Sequence, residues 1–188
     1  MPRRLLAASL LALVANGAFA DYRSAMESYL DQSIAPWASD PVLISAIEAQ
    51  NARTSGYDSA EVERLDQAWR AEVGMSATPT IDPVLTGAAA DFLRDQVAAS
   101  GGTITEIFVM DAQGLNVAAS TVTSDYWQGD EEKFTETYEA GPEAVHFGEV
   151  EFDESSQTYQ AQISLTITDE AGQPVGAMTV GVVADALM

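Results

Sequence analysis

The chain is predicted to be α+β, with N-terminal helices followed by a five-stranded antiparallel sheet. Three observations carry this. Apolar residues recur at helical spacing over the first half and with a period of two from Ile104 onward. The helical segments are grouped before the strands, without alternation between the two. Two turn signals, Asp111-Ala112-Gln113-Gly114 and Asp169 to Gln173 with Gly172, each join neighbouring strands as a hairpin.

Met1 to Ala20 precedes the folded part. Arg3 and Arg4 form a positive start, Leu5 to Val14 an apolar stretch, and Ala18-Phe19-Ala20 a signal-peptidase site. The apolar stretch is too short to span a bilayer, which needs about 20 residues. A signal peptide over 1–20, cleaved after Ala20, and a periplasmic location are therefore expected. Residues 21–188 are expected to form one domain, helical over 21–100 and sheet over 101–188. No later stretch is apolar enough to be a transmembrane segment.

Tyr22, Ala25, Met26, Tyr29, Ser33 and Trp37 form one stripe on a first helix, which Pro36 should end or bend. Asp40-Pro41 places an N-cap before a proline at the first helical position, starting a second helix with Val42, Leu43, Ala46 and Ile47 inward. Asp58 caps a third, with Glu61 in the capping-box position and Val62, Leu65, Trp69 and Val73 on its buried face. Asp82-Pro83 repeats the cap signature for a fourth helix carrying Val84, Leu85, Ala88, Ala89, Phe92, Leu93 and Val97, ended by Gly101-Gly102.

Ile107 to Met110 and Asn116 to Ser120 are the first two strands, and Asp130 to Glu139 reads as helix or loop. Val150 and Phe152 alternate with Glu149, Glu151 and Asp153. Tyr159, Ala161, Ile163, Leu165 and Ile167 alternate with Gln160, Gln162, Ser164, Thr166 and Thr168, and Val175 to Val183 completes a fifth strand.

Composition narrows the function. The 188 residues include 29 Asp and Glu against 8 Lys and Arg, a formal charge of −21, yet 47% are hydrophobic, so the chain should fold. Nucleic acid is excluded as a partner, because phosphate backbones need a basic footprint. An anionic membrane surface is disfavoured for the same reason. The absence of cysteine excludes disulfides, thiolate zinc sites and cysteine-held clusters. His146 stands alone, and the acids do not follow the spacing of a calcium loop, so no cofactor and no metal are expected. No pairing of nucleophile and base points to an enzyme.

Certain segments carry a resemblance. They are Glu106-Ile107-Phe108-Val109-Met110-Asp111-Ala112-Gln113-Gly114, Val117-Ala118-Ala119-Ser120 and Ser124-Asp125-Tyr126-Trp127-Gln128-Gly129-Asp130-Glu131, with Val175-Gly176-Ala177 after the second hairpin turn. In these, and in the helices before them, the chain resembles the extracytoplasmic sensor domains called Cache or PDC domains, in the single-Cache form. The resemblance implies a PAS-like five-stranded antiparallel sheet, a long helix on one face, and a small-molecule pocket on the other. The connection between the second and third strands would wall that pocket. It implies ligand binding in signal transduction and no catalysis. Such domains usually sit between membrane helices of a chemoreceptor, histidine kinase or cyclic-nucleotide enzyme. Here neither a membrane helix nor an output domain follows, so a membrane histidine kinase or chemoreceptor is the expected partner. The alternative is a structural or adaptor module that binds only protein.

Asp125, Tyr126 and Trp127 fall where the resemblance places the pocket wall. An aromatic pair beside a carboxylate suits a cation, or else the rings only close the core. Asp130 continues the acidic stretch beside them. Lys133, the only Lys or Arg of the sheet half, either holds a ligand carboxylate or pairs with Glu131 or Glu132. Gln162 shares one strand face with Gln160 and Ser164, and can donate and accept if that face meets the pocket. The candidate ligand-binding set is Asp125, Tyr126, Trp127, Asp130, Lys133 and Gln162. The candidate ligand is a small metabolite: an amine, an amino acid or a short carboxylate. Relatives often hold amino acids or carboxylates through an arginine, and none follows Arg94 here.

Overall fold

The computed structural model describes residues 22–153 and 158–187, so the expected signal peptide lies outside the described residues. Helix α1 (22–38) runs through Pro36 by widening into a π-helical turn over Leu30–Ile34, where the Ala35 N–H bonds the Leu30 carbonyl five residues back. The wider turn accommodates a ring that would otherwise meet the carbonyl one α-turn earlier. Helix α2 (Pro41–Thr54) is capped as expected, with Asp40 accepting from the Val42 N–H at 2.9 Å. In α3 (Ser59–Glu72) the Asp58 carboxylate accepts from the Glu61 N–H at 2.9 Å. Glu61 itself turns to Arg64, so only half of the capping box forms.

The expected fourth helix is two helices, α4 (Asp82–Leu85) and α5 (Ala88–Ala99). Gly87 between them has φ 96°, a left-handed conformation that ends one helix and starts the next. Among the described residues, no helix is long and apolar enough to cross a membrane.

The strands are β1 (Ile104–Met110), β2 (Asn116–Ala119), β3 (Val145–Phe147), β4 (Glu151–Asp153), β5 (Thr158–Thr168) and β6 (Pro174–Val183), with a short helix α6 (Glu132–Thr135) between β2 and β3. The sheet is antiparallel in the order β2-β1-β6-β5-β3, and β4 also pairs with β5. Strand β3 lies against Ile163–Leu165 and β4 against Thr158–Gln160, so the two follow one another along a single edge. The five expected positions are thus filled by six strands.

The two faces of the central strand β6 differ in size. Met178, Val180 and Val182 join Ile107, Val109, Ala161 and Ile163 in a core with Met26, Ile34, Leu43, Ile47 and Leu93 of the helices. On the opposite face the middle of β6 carries Ala177, Thr179 and Gly181. A Cβ at Gly181 would come within 2.5 Å of the Thr105 hydroxyl. Large residues seal one face to the helices; on the other, Thr179 and Gly181 pair with Phe108 and Glu106 of β1, and Ala177 joins Phe108, Met110 and Phe134 in a second apolar cluster.

Buried polar groups tie these layers together. Asp111, fully buried, accepts from the backbone N–H groups of Gln113 (2.9 Å) and Leu115 (3.0 Å) within its own turn. Its other oxygen accepts from Gln50 Nε2 (3.2 Å) and Thr54 Oγ1 (2.8 Å) of α2. Asn51 bonds the same turn through Ala112 N–H and reaches the Val175 carbonyl. A second clip holds the connection after β2. Asp66 of α3 accepts from the N–H groups of Tyr126 (2.9 Å) and Trp127 (3.1 Å), and Trp69 Nε1 donates to the Thr123 carbonyl at 2.8 Å.

Two substitutions test these clips. Asp111→Ala leaves four donors without their acceptor and is expected to lower stability by about 3 kcal/mol or more in urea unfolding. Asp66→Ala, which orphans two buried N–H groups, should cost roughly 2 kcal/mol. Asp125→Ala removes only a half-exposed pair with Arg70 and should cost less than about 1 kcal/mol. An equal loss for Asp66→Ala and Asp125→Ala would show that the backbone clip contributes nothing.

Candidate functional site

On the sheet face that carries Glu106, Phe108, Gln160 and Gln162 lies an open cavity of about 1010 Å³. Its floor holds Glu106 and Phe108 of β1 and Gln160 and Gln162 of β5. One wall is the connection after β2, with Thr123, Ser124, Gln128 and Asp130 to Lys133. The other is the β3–β4 edge, with His146, Gly148, Glu149, Glu151 and Phe152. Val73, at the end of α3, lies on the rim and half exposed, not within the core as its helical spacing predicts. A bulge in β1 between Ile104 and Glu106 lets Thr105 Oγ1 donate to Gln160 Oε1 at 2.7 Å, which orients that amide.

The lining is acidic: Glu106, Asp130, Glu131, Glu132, Glu149 and Glu151 stand against Lys133 and His146. Both side chains are engaged. The Lys133 ammonium lies 2.9 Å from Glu131, donates to Gln128 Oε1 at 3.2 Å, and sits 5.6 Å from the centre of the Phe108 ring. His146 bridges β3 to the wall, with Nδ1 3.3 Å from Glu136 and Nε2 3.8 Å from Glu132. A cation entering here meets carboxylates and an aromatic face, whereas a carboxylate would have to displace Glu131 from Lys133. Among the described residues, no group of three or more His, Asp or Glu is placed to hold a metal ion.

Of the six sequence candidates, Asp130, Lys133 and Gln162 line the cavity, and Asp125, Tyr126 and Trp127 do not. The Asp125 carboxylate is turned to Arg70, 3.1 Å away. Tyr126 stacks on Trp69, centroids 5.4 Å apart, and burial, followed by the charge of Asp111, pushes its phenol up to about 12. Trp127 Nε1 donates to the Gln113 carbonyl at 2.8 Å, over Gly129, where a Cβ would lie 2.4 Å from that nitrogen. The wall segment is therefore a clip whose first half fastens to α3 and the β1–β2 turn. Its second half, Gln128 to Lys133, is presented to the cavity.

Gln160 lines the cavity beside Gln162, while Ser164 is buried and bonds Thr179 at 3.0 Å. Sequence reasoning missed Glu106, Phe108, His146 and the β3–β4 acids. A period of two along β1 sets Glu106 with Phe108 and Met110, opposite Ile107 and Val109, but the apolar run from Ile107 to Met110 hides that alternation.

No protein-family model matches the chain, and no curated protein matches it. Solved structures do match. The sensor domain of the Vibrio cholerae histidine kinase DctB is similar at 13% identity and TM-score 0.47, over 94% of this chain and 58% of that one. The ligand-binding domain of the Campylobacter jejuni chemoreceptor Tlp3, in complex with L-valine, is similar at 12% identity and TM-score 0.43, over 89% of this chain and 64% of that one. An extracellular ligand-binding receptor from Desulfohalobium retbaense is similar at 14% identity and TM-score 0.41, over 77% of this chain and 25% of that one. The chain thus spans less than two thirds of each. The chain itself has an α+β architecture, helices before an antiparallel sheet in the order β2-β1-β6-β5-β3.

Proposed function

We propose that this chain is an exported sensor protein, one domain over 21–188, that binds a small amine-bearing metabolite without transforming it. It presents the bound state to a membrane histidine kinase or chemoreceptor. The observation that carries the reading is the acidic cavity of about 1010 Å³ over the sheet. That volume is at the upper end of the range for small-molecule sites, roughly 300–1,000 Å³. Lys133 supports the amine preference, since its ammonium already rests between Glu131, Gln128 and the face of Phe108. A ligand ammonium would take similar partners from Asp130, Glu149 and Gln162.

Transmission follows from the wall. Tyr126 and Trp127, just before Gln128, hang by their N–H groups on Asp66 of α3. A ligand that draws Asp130–Lys133 across the cavity therefore pulls on α3, provided it prefers that closed state.

A thermal-shift panel of diamines, amino acids and short carboxylates tests the binding. An amine at a hundredfold its Kd adds about 2.7 kcal/mol to the native state, a rise of roughly 5–10 °C for a chain of this size. Asp130→Asn combined with Glu149→Gln should reduce that rise while leaving the unliganded melting point nearly unchanged. If no amine raises the melting point at millimolar concentration, the protein-only adaptor is the surviving reading.

A further inference from the structure

Arg53 differs from the other described arginines. Arg23, Arg64, Arg70 and Arg94 each pair with a carboxylate. Arg53, in the last turn of α2, makes no ion pair among the described residues, although the chain has 29 acids to 8 bases. Its guanidinium donates to the Ala49 carbonyl at 3.1 Å and to Gln50 Oε1 at 3.3 Å. Of its N–H groups, those not used in these two bonds remain available.

They lie at a second cavity, of about 280 Å³, which shares no lining residue with the first. Pro83, Val84 and Val117 give it an apolar side, and Gln50, Thr54 and Thr80 line it together with Tyr57 and Tyr126. No Asp or Glu lines it, the reverse of the first cavity. The Tyr57 hydroxyl donates no hydrogen bond among the described residues, and Tyr126, its phenol raised by burial, stays neutral. Asp111 accepts from two residues that line this cavity, Gln50 and Thr54, and from two N–H groups of its own turn, so its carboxylate is taken up by four hydrogen bonds.

We infer that this cavity is a second binding site, for a short monocarboxylate, whose carboxylate meets Arg53 and the Tyr57 hydroxyl and whose apolar tail lies between Pro83, Val84 and Val117. The guanidinium fork fits a planar carboxylate through two parallel N–H bonds. With Arg53 the one cation in its lining, the cavity offers no charged partner to a second negative charge. This site stands on its own residues and does not depend on the amine reading of the first.

Calorimetric titration of the full chain with sodium butyrate tests it, with inorganic phosphate and butylamine as controls. Butyrate is expected to bind saturably and to shift the Val84 and Val117 methyl resonances. Arg53→Gln should weaken it by about tenfold or more, with Arg53→Lys in between. Arg23→Gln, which removes a cation that lines neither cavity, should leave butyrate affinity unchanged. Both Arg53 and Tyr57 reach the surface, so Arg53→Gln and Tyr57→Phe keep the fold. The inference is overturned if butyrate gives no saturable heat at tens of millimolar. It is also overturned if Arg53→Gln binds butyrate as the parent does, or if phosphate binds more tightly than butyrate.

Discussion

The carboxylate of Asp111 is the point at which the helical layer, the first hairpin and the cavity wall are joined. A fully buried charge is tolerated only where hydrogen bonds replace water, and here two come from its own turn and two from α2. That fixes the turn carrying Gln113, whose carbonyl holds the indole of Trp127. From Trp127 the chain passes to Gln128, which is bonded to Lys133. A displacement at α2 therefore reaches the mouth of the acidic cavity through a short series of directional bonds, with no flexible joint between.

The asymmetry of β6 adds the space that this frame encloses. The sheet has two faces, one packed on the helices and the other carrying the cavity floor formed by β1 and β5. Met178, Val180 and Val182 fill the side toward the helices, and on the other side Thr179 and Gly181 lie between Glu106 and Phe108 of β1 and Gln162 and Ser164 of β5. A side chain at Gly181 would have to displace the Thr105 hydroxyl, 2.5 Å from the position of the missing Cβ, and the Glu106 side chain at 3.0 Å.

Much of the frame was legible in the sequence. The caps at Asp40 and Asp58 form, the alternation of β5 separates core from cavity, and Asp111 closes a hairpin. The break at Gly87 was hidden because the apolar stripe continues across it, and only a backbone angle reveals it. The site was half legible. Asp130, Lys133 and Gln162 share the cavity, but Asp125, Tyr126 and Trp127 turn away. Their partners, Asp66, Trp69 and Arg70, lie three and four residues apart on one face of α3. A periodicity that counts only apolar residues sees Trp69 there and reads Asp66 as solvent-facing, so the polar clip escapes it.

The divided edge formed by β3 and β4 has a consequence for how crowded copies of the chain behave. A long unbroken strand beside β5 would leave a row of unpaired backbone groups on which another molecule could add a strand. Instead the edge consists of two three-residue pieces separated at Gly148, with Glu149 and Glu151 beside the gap. At the opposite border β2 is only four residues long, and the Tyr126 carbonyl accepts from the Asn116 N–H. Neither border presents a straight, uncharged template, so the fold resists sheet-to-sheet growth and amyloid-like stacking at high concentration.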